Sequence, residues 1–168
     1  MADPFGIKAN STPPVGMARY LVRFHSVPKP HPAFSNYSGT WTPAHGLVQI
    51  RASSEPFTDE KNCSSARALY HQVKRQLIQA YGEPADHEYL DNESRWQGDN
   101  EFWQSIENGD RIYSTDWTEE ACKLRDGIRD IHLGVITDSV YDSYVLLSYN
   151  FEGVNEDGPS DDYGLDSL

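Results

Sequence analysis

Between Ser64 and Tyr81 apolar side chains return every three or four positions, at Ala66, Leu69, Val73, Leu77 and Tyr81. That period places them on one stripe of an α-helix. Asn62, Ser64 or Ser65 supplies a capping side chain, Gly82 suits a left-handed C-terminal cap, and Pro84 blocks continuation. Elsewhere the period shortens to two. Gly46–Ala52 puts Val48, Ile50 and Ala52 on one side, with Gln49 and Arg51 projecting from the other. Ile128–Ile136 collects Ile131, Leu133 and Val135, and Tyr144–Phe151 collects Val145, Leu147, Tyr149 and Phe151. The turn-forming Thr137-Asp138-Ser139 between these two predicts an antiparallel hairpin. Arg111–Trp117 alternates with Tyr113, Thr115 and Trp117 together, and Arg19–His25 reads as the first strand. Asp99 or Asn100 caps a short helix that turns Phe102, Trp103 and Ile106 inward and stops at Gly109.

This order predicts an α+β domain: a mostly antiparallel sheet of about five strands, one main helix packed on a face, and a short second helix. Parallel βαβ repeats are disfavoured, because helices do not alternate with strands after residue 110. Three segments follow from the pattern. Residues 1–17 form an irregular lead-in from which Phe5 and Ile7 pack on the domain, 18–151 form the domain, and 152–168 form a disordered tail. The three prolines in Val27-Pro28-Lys29-Pro30-His31-Pro32 favour an extended polyproline conformation and exclude helix or central strand there.

Composition changes this picture in one respect. Mean hydropathy is low, at -0.67, yet aromatic residues make up 12% of the 168-residue chain, enough large side chains to enclose a core. The net charge of -12 disfavours direct contact with a nucleic-acid backbone and leaves two readings, a protein partner with a basic surface or plain solubility, the commoner one. Six acids and no base lie in Glu152–Leu168, so 14 bases face 20 acids in the remainder, a net -6. No run of about 20 apolar residues is present. With no basic-then-apolar start, the expected location is cytoplasmic.

Candidate chemistry is sparse. His25, His31 and His45 fall in the first quarter without the spacing that presents two imidazoles on one helix face, so no metal or other cofactor is expected. Cys63 precedes the main helix, but His71 lies two turns away, and no GxSxG elbow or phosphate-binding glycine motif occurs. His71 and His132 fall off the apolar stripes and read as solvent-facing, and no catalytic residue is assigned. Two surfaces remain for binding. One is the proline-rich loop with His31, Phe34 and Tyr37; the other is the acidic, aromatic segment from Asp86 to Glu107 with Trp96, Glu101 and Trp103.

Val27-Pro28-Lys29-Pro30-His31-Pro32 with Phe34 and Tyr37, then Gly46-Leu47-Val48-Gln49-Ile50, resembles small bacterial accessory proteins of mobile-element and immunity type. Leu77 through Tyr81-Gly82, Trp96, Trp103, Trp117 and Leu147-Ser148-Tyr149-Asn150-Phe151 extend the resemblance over residues 5–151. It implies a non-enzymatic protein-binding role. A compact fold, strong negative charge and no assembled catalytic set lead from there to the expectation of a protein that inhibits or neutralises a partner protein, including by nucleic-acid mimicry. Two other expectations stand beside it: a small enzyme or carbohydrate binder using a cleft of Trp96, Trp103 and Glu101, and a structural assembly role.

Overall fold

The computed structural model describes residues 4–8, 20–122, 124–138 and 141–154. Seven strands run in the order β1 (Tyr20–Phe24), β2 (Asn36–Thr42), β3 (Gly46–Ser53), β4 (Ala85–Leu90), β5 (Arg111–Thr118), β6 (Ile128–Asp138) and β7 (Asp142–Phe151). Helix α1 (Ser64–Tyr81) follows β3, and helix α2 (Phe102–Glu107) lies between β4 and β5. The strands form one sheet in the spatial order β1-β2-β3-β7-β6-β5-β4, with every pair antiparallel. The sheet of about five strands under one main helix is thereby corrected: it has seven strands, and two helices lie against it.

The two additional strands have separate causes. In β2 the inward positions alternate as Tyr37, Gly39 and Trp41, and the glycine hides the period. A Cβ on Gly39 would lie 2.6 Å from Cη2 of Trp41 and 3.2 Å from a Phe24 carbon, so the indole covers the place where a side chain would be. In β4 the sequence ADHEYL contains no apolar alternation, and all of Ala85–Tyr89 is exposed. It is an edge strand, where charge discourages pairing with other chains. Its inward carboxylates are held by α1: Lys74 Nζ lies 2.7 Å from Asp86 Oδ1 and 3.1 Å from Glu88 Oε1.

One face of the sheet carries both helices. Ile50, Ala52, Val145, Leu147, Ile131, Leu133, Val135, Thr115 and Trp117 line it, all buried, beneath Ala66, Tyr70, Val73 and Leu77 of α1. Tyr70, like Ala66, is fully buried, whereas Leu69 is only partly buried. Phe102 of α2 meets Tyr113 of β5 with ring centroids 5.2 Å apart. From the N-terminal segment Phe5 inserts edge-on among Phe34, Tyr37 and Tyr149, and Ile7 is buried beside them. The tail expected for 152–168 lies outside the described residues from 155 onward.

The helix ends differ from expectation in two details: a left-handed residue stands at the start, and Gly82, with φ 93° and ψ -170°, closes the end in an extended, positive-φ conformation rather than a left-handed helical one. Cys63 occupies the N-cap in a left-handed conformation, φ 48°, without a side-chain cap. Glu60 reaches forward to accept from the Ser65 backbone N–H at 2.8 Å, and Asn62 accepts from that of Ser64 at 3.2 Å. At the other end Gly82, φ 93°, donates its N–H to the Ile78 carbonyl at 2.8 Å. The Gly82 carbonyl then accepts from the Trp117 indole at 2.7 Å, which ties the end of α1 to β5. Among the described residues no helix is long and apolar enough to cross a membrane.

Candidate functional site

His31, Phe34 and Tyr37 are brought together, and the arrangement is internal. The His31 backbone N–H donates to the Tyr37 hydroxyl at 2.9 Å, and that hydroxyl reaches the Phe34 carbonyl at 3.2 Å. The His31 ring accepts from the Ala33 N–H through Nδ1 at 3.1 Å, and its Nε2 lies 3.0 Å from Gln76 Oε1 on α1. Phe34 and Tyr37 are buried. The segment is therefore a pin that fastens the chain before β2 to the main helix.

Trp96, Glu101 and Trp103 do not share a cleft. Glu101 Oε2 accepts from the Gly98 N–H at 2.8 Å and closes the 3-10 turn that leads into α2. The Trp103 indole donates to the Asp142 carbonyl at 2.9 Å, and its ring meets that of Tyr141 with centroids 5.3 Å apart. Trp96 lines a cleft with Asp91, Glu93, Ser94, Arg95, Asn108 and Asp110, and neither Glu101 nor Trp103 belongs to it. Its volume is 360 Å³. Short bonds shape the wall: Ser94 Oγ donates to Asp110 Oδ2 at 2.6 Å, and Asp91 Oδ1 accepts from the Glu93 N–H at 2.9 Å. The Arg95 guanidinium lies 4.5 Å from the Trp96 ring centroid. Between Asp86 and Asp110 the chain carries eight carboxylates and a single arginine. A site of this kind attracts ammonium and guanidinium groups by charge and offers them an aromatic wall.

The opposite sheet face forms a second surface, uncovered by either helix. Leu21, Tyr89 and Ile112, the most exposed large apolar residues described, all project from it. Polar side chains occupy its centre in rows set by the register. In one row Gln49 Nε2 donates to Asn150 Oδ1 at 2.8 Å, and Asn150 Nδ2 donates to Asp130 Oδ1 at 2.6 Å. Burial pushes the Asp130 carboxyl above its ordinary range despite that bond from Asn150. In the next row Arg23, Ser38, Arg51, Ser148, His132 and Asp116 lie across β1, β2, β3, β7, β6 and β5. Asp116 holds two imidazoles, with His132 Nδ1 at 2.7 Å from Oδ1 and His87 Nε2 at 3.2 Å from Oδ2.

Two histidines expected to face solvent are thus engaged: His132 with Asp116, and His71 Nε2 with the Tyr113 hydroxyl at 2.8 Å. Burial pulls the His71 imidazole below its ordinary range. The Cys63 thiol is fully buried, and that burial raises it, which removes the activated thiolate a nucleophile requires. Among the described residues no group of three or more His, Cys, Asp or Glu side chains is disposed to hold a metal ion. The open-face row is not legible in the sequence because its members lie in six different strands; the single pointer is the outward alternation of Gln49 and Arg51. Comparison with protein-family models, curated proteins and solved structures found no match.

Proposed function

We propose that this chain is a non-enzymatic binding protein that engages the basic surface of a protein partner through its acidic lobe, residues 86–110. The observation that carries the reading is the cleft at Trp96, set among eight carboxylates and one arginine. An apolar wall beside concentrated negative charge suits a lysine or arginine presented by another protein. Occupying such a surface neutralises whatever the partner does with it, including holding a nucleic acid, whose charge the lobe shares.

The test is affinity capture from native cells with the full chain, beside a Glu93→Lys/Trp96→Ser variant of equal thermal stability. A partner held by the wild-type chain, lost by the variant and released as salt rises past about 0.15 M supports the reading, since exposed charges are screened beyond about 8 Å there. Equal capture by both chains, or no protein above background, overturns it.

A further inference from the structure

Arg51 lies on β3 on the sheet face that neither helix covers. Its Nε is buried without a hydrogen bond, and no ion pair or hydrogen bond to its side chain is present among the described residues. The contrast with its surroundings is sharp. One row away Gln49, Asn150 and Asp130 satisfy one another. Further along its own row Asp116 is taken up by His132 and His87. Lys74, its side chain 13% exposed on the covered side, is held by two carboxylates. A guanidinium with a buried, unsatisfied N–H costs desolvation that an anion would offset.

The neighbours of Arg51 suit an anion. Ser38 and Ser148 stand directly beside it on β2 and β7, and each offers a hydroxyl on the same face. Arg23 lies next to Ser38 on β1, two strands from Arg51, about 10 Å at the backbone and within convergence of two long side chains. Tyr144 projects from the same face of β7; burial and then Asp138 raise its phenol, while Arg51 acts in the opposite sense. Asp138 is thus the acid that shares Tyr144 with Arg51, and Asp116 and Asp130 are both already hydrogen-bonded.

We propose that the open face of the sheet holds an oxyanion, a phosphoryl or carboxylate group, on Arg51, with Ser38, Ser148 and Arg23 completing the site. The guanidinium fork matches either group through two parallel hydrogen bonds, and the flanking hydroxyls donate to the remaining oxygens. The site lies on different strands from the acidic cleft and does not depend on it.

The experiment uses the full chain labelled with 15N, titrated in separate arms with inorganic phosphate and with acetate while chloride is reduced to hold ionic strength constant. The Arg51 Nε–H resonance and the backbone N–H resonances of Ser38 and Ser148 are followed. A saturable shift with a dissociation constant on the order of 1 mM is expected. Arg51→Gln abolishes it, and Arg51→Lys, which keeps the charge without the fork, weakens it about tenfold. Saturation by phosphate alone assigns a phosphoryl group, and saturation by acetate assigns a carboxylate. No saturable shift in either arm, or equal shifts at Ser38 and Ser148 in Arg51→Gln, overturns the proposal. Glu93→Lys/Trp96→Ser leaves the titration unchanged, which separates this site from the acidic lobe.

Discussion

The two faces of this sheet solve opposite problems with the same seven strands. On the covered face the rows are apolar; the Trp117 indole is matched by the Gly82 carbonyl and Thr115 Oγ1 by Ala85 O at 3.0 Å and Asp86 at 2.7 Å, while the buried Ser143 Oγ finds no hydrogen-bond partner among the described residues. On the open face the rows are polar and unevenly satisfied, from the closed Gln49–Asn150–Asp130 chain to Arg51, whose buried Nε has no hydrogen-bond partner among the described residues. Antiparallel sheets commonly divide their labour in this way, with one side on the core and one toward water. Stability therefore resides on the first face, and the second is free to carry recognition.

Substitutions can break that division. The largest effect is expected for Trp117→Ala on the covered face, which removes a fully buried indole and orphans the Gly82 carbonyl. A loss of about 3–5 kcal/mol in denaturant unfolding is the expected outcome. Gly39→Ala comes next, at about 1–3 kcal/mol by the same measurement, because the added methyl meets the Trp41 ring. A glycine chosen for flexibility alone would give a much smaller loss.

Lys74→Met tests the covered margin under β4, with an expected loss of about 1 kcal/mol, limited because Asp86 is 52% exposed. The pH dependence has a definite sign. Burial works to raise the Asp86 carboxyl, but hydrogen bonds from Lys74 and Thr115 and the Lys74 charge outweigh it and hold the group below 3.8. Its contribution is present above 3.8 and is lost as pH falls through the lower folded value. The wild-type and Lys74→Met unfolding curves should converge there.

The open face should respond weakly. Tyr89→Ser with Ile112→Asn, exposed by 56% and 53% in the wild-type chain, should change stability by no more than about 0.5 kcal/mol each. Asp130→Asn should be neutral or stabilising at pH 7, by at most about 0.5 kcal/mol. Burial raises the folded carboxyl above 3.8, so the ionised form carries a cost at neutral pH that disappears as pH falls through the raised value and below 3.8. Thermal scans of both chains at pH 7 and in acid check this. A loss comparable to that of Trp117→Ala at any open-face position would erase the distinction between the faces.

Much of this was legible from periodicity. Helix α1 spans Ser64–Tyr81 as its three- and four-residue repeat predicts, with Gly82 at its end. The β6–β7 hairpin and its inward residues follow from alternation, because a strand has only two sides and one must be apolar. Strands β2 and β4 were illegible for the reasons their structures display: Gly39 yields its core position to the Trp41 ring, and β4 puts carboxylates where apolar residues were sought. The acidic segment could be seen in the sequence, but Trp96, Glu101 and Trp103 belong to three different local structures.

The sequence by itself determined the local elements, since helical and strand periods are properties of neighbouring residues. The tertiary structure decided what those elements place side by side. Ser38, Arg51 and Ser148 are separated by 13 and 97 positions along the chain and become neighbours only through the registers of β2–β3 and β3–β7. Register is a long-range property, set by how the whole covered face packs. That no described residue bonds the Arg51 Nε is likewise a statement about space, and no stretch of sequence contains it.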